Sequence, residues 1–210
     1  MYIPAHFREE RPEELHRLIR EHPFGLLANL QAGELNGNHL PFELDTSGTL
    51  TLRAHVARAN PVWRDFDSAV EVLVVFQGAQ TYITPSWYET KREMGKVVPT
   101  YNYLVVHAMG PLRIIDDRTW LRGLVERLTG RFESRRAEPW AVSDAPDEYI
   151  DNLLEAIVGL EIPVRRLDGK WKASQNRPAV DQRGVVAGLL RETGDDAHAM
   201  AAAVDALRKS

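Results

Sequence analysis

Four stretches of this chain carry residue types that chemistry can use. In Asn36–Phe42 (NGNHLPF), a glycine, a proline and polar side chains including His39 interrupt an apolar strand, a pattern that lets a ligand approach the backbone. In His55–Pro61 (HVARANP), His55 and Arg58 stand at a strand end just before an Asn60-Pro61 helix start. Free N–H groups at a helix N-terminus beside a cation suit a phosphate, although Asn60-Pro61 reads equally well as a plain helix cap. A third stretch, YITPSWYETK followed by VPTYNY, gathers Ser86, Lys91, Thr100 and Asn102 between two aromatic clusters. The fourth, Lys170–Pro178 (KWKASQNRP), takes a strand out of its sheet in polar residues, among them Gln175.

Other chemistries find no support. The chain has no cysteine, which excludes disulfides, thiolate metal sites and cysteine nucleophiles. His39, His55 and His107 match no metal-ligand spacing, so no metal site is assigned. Glycine-rich nucleotide loops, a GxSxG elbow and an HExxH helix are all missing from the sequence, and no catalytic residue is assigned. A net charge of −4 counts against direct DNA binding, which draws on lysine and arginine to neutralise phosphates. The apolar runs are strand-length and the first residues lack a secretory pattern, so the expectation is a cytoplasmic protein without a membrane segment.

The elements that must position these residues are short strands with inserted helices. PEELHRLIREH (12 to 22) reads as an amphipathic helix led by Pro12, Glu13 and Glu14. Residues 24 to 30 and 34 to 44 read as a hairpin turning at Ala32-Gly33, and 49 to 55 as a third strand. Val70–Phe76 reads as a central strand, with a Gln77-Gly78 turn to a partner strand. Residues 98 to 115 form a long strand bent at Gly110-Pro111. Helices are expected from Asp117 through Phe132 and over 147 to 159, then strands turning at Asp168-Gly169 as a two-residue hairpin. Two helical stretches divided at Thr193-Gly194 end the chain. Trp63, Trp87 and Trp120 read as core or dimer-interface residues, and Arg135-Arg136 as a solvated loop. The fold class is mainly β with peripheral helices, organised as residues 1–178 with a helical tail, 179–210, packed on them.

Six motifs in register take the reading further: MYIPAHF at the start, HLPF (39–42), HVARANP (55–61), YITPSWY (82–88), VPTYNY (98–103) and SQNR (174–177). Together they resemble the PaiB-type family of FMN-binding negative transcriptional regulators, over residues 1 to about 190. Tyr101 stands where the family often has tryptophan. The resemblance implies an FMN-binding split β-barrel, related to pyridoxamine-phosphate oxidase, that works as a homodimer with flavin at the subunit interface. Carried over residue by residue, it implies His55, Arg58 and Asn60 at the flavin phosphate and His39 beside the isoalloxazine ring. Thr100 and Asn102, with Ser86 and Lys91, come from neighbouring strands or the partner subunit, and Gln175 closes the site. The implied function is a flavin-bound regulator, with DNA a weakly supported partner; the alternative is an FMN-dependent oxidoreductase acting on a small substrate.

Overall fold

The computed structural model describes residues 1–209, Met94 by its backbone alone. Ten strands and six α-helices follow one another as β1 (Arg8–Glu9), α1 (Pro12–Glu21), β2 (Phe24–Gln31), β3 (Glu34–Pro41), β4 (Glu43–Asp45), β5 (Thr51–Ala57), β6 (Val72–Ile83), α2 (Thr90–Met94), β7 (Thr100–Gly110), β8 (Arg113–Ile115), α3 (Arg118–Glu133), α4 (Asp147–Glu155), β9 (Ile157–Pro163), β10 (Arg166–Lys172), α5 (Ala179–Leu189) and α6 (Asp195–Lys209). The strands form two antiparallel sheets, ordered β1-β10-β7-β6-β2-β3 and β4-β5-β9-β8. No helix among the described residues is long and apolar enough to cross a membrane. The chain resolves into two compact units: residues 1–22, 76–107 and 168–210 in the first, 23–75 and 108–167 in the second.

In the first unit, one sheet face is sealed by helices. α1 turns Leu15, Leu18 and Ile19 inward, as its three- and four-residue spacing requires. α5 and α6 contribute Val185, Leu189, Met200 and Val204 to a core with Ile83, Tyr88 and Ala173. Trp87 lies across α5, where a Cβ on Gly188 would meet its ring at 2.3 Å and one on Gly184 its carbonyl at 1.9 Å. The small pair cuts a notch in the helix. The carboxylate of buried Asp181 fastens the same helix, accepting from the Thr90 N–H at 3.0 Å and the Thr90 hydroxyl at 2.7 Å.

In the second unit, β2 and β3 form the expected hairpin, from Gln31↔Glu34 to Phe24↔Pro41. Ala32 and Gly33 both adopt positive φ (51° and 83°), the twist that a two-residue hairpin turn needs. The four-stranded sheet buries Leu52, Ala54, Val56, Val158, Leu160 and Ile162 on one side. α3 starts at the Asp117 cap, whose carboxylate accepts the Trp120 N–H at 2.7 Å. Trp120 rests on Gly159, where an added Cβ would meet the indole at 2.4 Å.

Three sequence expectations need correction. Gln77-Gly78 is no turn: β6 runs unbroken from Val72 to Ile83, and the glycine is there because Leu18 of α1 packs 3.1 Å from where its Cβ would be. Asp168-Gly169 is no hairpin turn either. Both residues lie inside β10, and Gly169 gives room to Leu15 and the Glu9 carbonyl, 2.2 and 2.8 Å from its absent Cβ. The helix expected over 147 to 159 stops at Glu155, because β9 claims residues from Ile157 to pair with β5. The bend at Gly110-Pro111 holds, with β7 and β8 in different sheets.

Candidate functional site

The candidate residues fall into two groups, one per unit. In the second unit, β3 ends its sheet and holds Asn38 and His39; the Phe24 ring stacks on His39 with centroids 6.0 Å apart. After β5, Asn60 opens a single 3-10 turn, Pro61–Trp63, its Oδ1 accepting the Val62 N–H at 2.9 Å. The Asn60 Nδ2 donates to Asn38 Oδ1 at 2.7 Å. Asn38 Nδ2 is left buried without a partner among the described residues. Asn38 and Asn60 line an open groove of about 720 Å³ with Gln31, Asn36 and Pro61.

Arg58 is otherwise employed. Its Nη1 and Nη2 fork onto Asp116 at 2.9 and 2.6 Å, Nε donates to the Glu155 carbonyl at 2.7 Å, and Nη2 also reaches the Ile157 carbonyl at 3.0 Å. The side chain thus ties the end of β5 to the α4–β9 junction and the start of α3. His55 projects toward α3 into a pocket of about 340 Å³ lined by Pro41, Val125, Leu128, Phe132 and Trp140. Its Nδ1 is buried without a partner among the described residues, and burial holds its pKa below the usual histidine range. The 3-10 turn is short and its Val62 N–H is already capped. A phosphate at HVARANP therefore meets a capped turn, an occupied guanidinium and a desolvated imidazole.

In the first unit, Asn102 is buried; its Nδ2 donates to Ser174 Oγ at 2.8 Å, and its Oδ1 has no partner among the described residues. Gln175 spends its carboxamide locally, accepting the Ala173 N–H at 2.7 Å and donating to the Trp171 carbonyl at 2.5 Å. Lys91 and Ser86 meet at 3.3 Å beside α2. Thr100 Oγ1 accepts a short hydrogen bond from Lys172 Nζ, which also donates to the Tyr101 carbonyl at 2.6 Å.

That last contact leads to residues that sequence reasoning passed over. Lys170 and Lys172 alternate along β10, so both project on the face opposite Trp171. Lys170 is buried and lies 5.2 Å from the Tyr103 ring centre, with Lys172 5.9 Å from the same ring. Tyr82 and Tyr101 pack edge to face nearby in sequence, 6.0 Å apart and both exposed. The signal was legible as a two-residue period of lysines on a strand.

The family profile described as "Putative FMN-binding domain" matches residues 1–166. The chain belongs to this FMN-binding family. FMN is its cofactor, as the six motifs implied. Among relatives of the family member, Protease synthase and sporulation protein PAI 2 of Bacillus subtilis is 32% identical, covering 96% of this chain and 95% of that one. An uncharacterised protein of Emericella nidulans is 36% identical over 94% and 93%. The fold is that of a split β-barrel. A FAD- and heme-binding protein from Mycobacterium smegmatis shares it with TM-score 0.59 at 17% identity, over 86% of this chain and 80% of that one. The flavocytochrome Anf3 of Azotobacter vinelandii gives 0.59 at 9% identity, over 81% and 72%. Each unit by itself offers polar groups of a kind a flavin nucleotide uses: in the second, the orphaned Asn38 amide suits a carbonyl acceptor, and in the first, lysines held by neutral oxygens suit a phosphate.

Proposed function

We propose that this chain works as an FMN-loaded homodimer of the PaiB type that acts as a negative regulator, flavin occupancy biasing its interaction with a partner. The observation that carries the reading is the unsealed edge at β3. An eight-residue edge strand bearing highly exposed Leu35 is a pairing hazard unless something covers it. The orphaned Asn38 amide opens on the groove beside this strand, so a second copy and a flavin together would satisfy what one chain leaves open. Asn60 would flank the ring there. The regulatory half of the reading leans on the Bacillus subtilis relative, whose name ties it to protease synthesis and sporulation.

Regulation by direct groove reading has little to work with. α6 turns Ala197, Met200, Ala201 and Val204 inward and opens with Asp195 and Asp196, which repel a phosphate backbone. A second reading, an FMN-dependent oxidoreductase, draws on the openness of the groove, which would leave a bound ring accessible to a diffusing reductant. Bound FMN supplies the redox chemistry in either case.

Visible absorbance and sedimentation of the purified protein test the proposal together. Flavin bands with a dimeric sedimentation coefficient are expected, and Leu35→Glu should shift the protein toward monomer. A monomeric wild type carrying full flavin would end the homodimer reading. NAD(P)H oxidation at catalytic rates, without any FMN-dependent partner or operator retention, would move the function to the enzyme.

A further inference from the structure

The first unit gathers the positive charges of Lys170, Lys172 and Arg177. Lys170 and Lys172 donate to neutral oxygens, the Tyr2 and Tyr101 carbonyls, and Arg177 lies over an aromatic ring. Lys170 Nζ donates to the Tyr2 carbonyl at 3.2 Å, and the residue is more than nine-tenths buried. Arg177 stacks over the Tyr88 ring at 4.6 Å. Asp181, which is close to that ring, accepts from Thr90. Burial first, then the charges of Lys170 and Arg177, lowers the pKa of Lys172, so the three cations sense one another. Several cations elsewhere in the molecule are matched by carboxylates: Arg11 with Glu9, Arg17 with Glu14, Arg53 with Asp45 and Glu161, Arg127 with Glu43.

A half-buried group of like charges is costly unless a counter-ion joins it. The protein nevertheless holds the group in place. Thr100 and the Tyr101 carbonyl fix Lys172, the Tyr103 ring faces both lysine heads, and the Gln175 carboxamide clamps the strand end from Trp171 to Ala173. Ammonium donors left over after these contacts, next to a guanidinium, match the several acceptor oxygens of a dianion better than a single carboxylate.

We infer that Lys170, Lys172 and Arg177 form a phosphate-recognition site, with Thr100, Tyr103 and Gln175 as positioning residues, and that its ligand is a phosphate monoester. The phosphate comes from the FMN of the proposed function, or from a separate phosphorylated ligand that binds independently of flavin. The chemistry is shared; the binding partners separate the sources.

Flavin-stripped full-length protein is titrated with FMN and with riboflavin, which lacks the phosphate, by fluorescence quenching; inorganic phosphate is titrated into FMN-loaded protein by calorimetry. Lys172→Gln, Lys170→Gln and Arg177→Gln are compared with wild type, with exposed Arg191→Gln as the control for charge alone. If the site holds the flavin phosphate, each cluster variant weakens FMN about tenfold or more, the loss of a charge-assisted contact, while riboflavin binding is unchanged. If it serves a separate ligand, FMN binding is unchanged, and the heat of inorganic phosphate binding seen in wild type disappears in the variants. The inference is overturned if neither FMN nor inorganic phosphate distinguishes the cluster variants from Arg191→Gln. A circular dichroism spectrum and retained riboflavin binding guard against misfolding, and Lys172→Arg should restore most of the affinity. Failure of the proposed function reads differently, as wild-type protein that is monomeric or never takes up flavin.

Discussion

At the scale of single residues, the side chains that look alike in sequence have been given different work. Arg58 and Lys172 are both cations beside candidate motifs, yet Arg58 is saturated by Asp116 and two carbonyls, and Lys172 is left with donors to spare. His55 has a buried Nδ1 without a partner among the described residues. Because burial lowers its folded-state pKa, the unfolded chain takes up a proton at a higher pH than the native one does. Its contribution to stability is therefore complete above the unfolded value, about 6.5, and is lost as pH falls from there through the lower folded value. His16 is shifted the same way, by burial and by Arg20. His55→Phe, which fits the aromatic and aliphatic walls of its pocket, should flatten part of the stability loss between pH 6.5 and 5 in urea titrations. An unchanged pH profile would show that the imidazole is solvated.

At the scale of elements, the order of strands and helices was legible because periodicity reports which face is buried. The α1 stripe, the β2–β3 hairpin and the break at Thr193-Gly194 all follow from it. What misled was glycine. Ala32-Gly33 and Gly169 present the same composition, but the first needs positive φ and the second needs the space a side chain would fill. Local sequence does not contain the second cause, since Leu15 and Glu9 arrive from the other end of the chain. The same limit explains the candidate site: HVARANP looks like an anion cradle until Asp116 and Glu155, distant in sequence, occupy it. The glycine assignment is testable. Gly169→Ala should cost about 1–3 kcal/mol through overpacking, read as a lowered urea midpoint at unchanged slope. The double variant with Leu15→Ala should be less destabilised than the sum of the two changes, and strict additivity would point to a backbone cause.

At the scale of the whole molecule, the C-terminal helices complete the core of the first unit, which Met200 and Val204 enter fully buried. α5 is an unusual participant. Its notch for Trp87 requires Gly184 and Gly188, and each glycine lowers helix propensity by about 1 kcal/mol relative to alanine. The segment has little reason to be helical except when docked, so its hydrogen bonds should open as one cooperative event with the release of the tryptophan. Hydrogen–deuterium exchange would then find the amides of 182 to 190 exchanging at a common rate, faster than those of β6. Trp87 fluorescence should report the same opening in real time. Filling the notch with alanine would not strengthen the helix in place but evict the indole, so a protein altered in this way should gain helicity in its isolated tail peptide while losing it from the native ensemble. The two glycines thus make the order of this helix conditional on a neighbour rather than intrinsic to its own sequence.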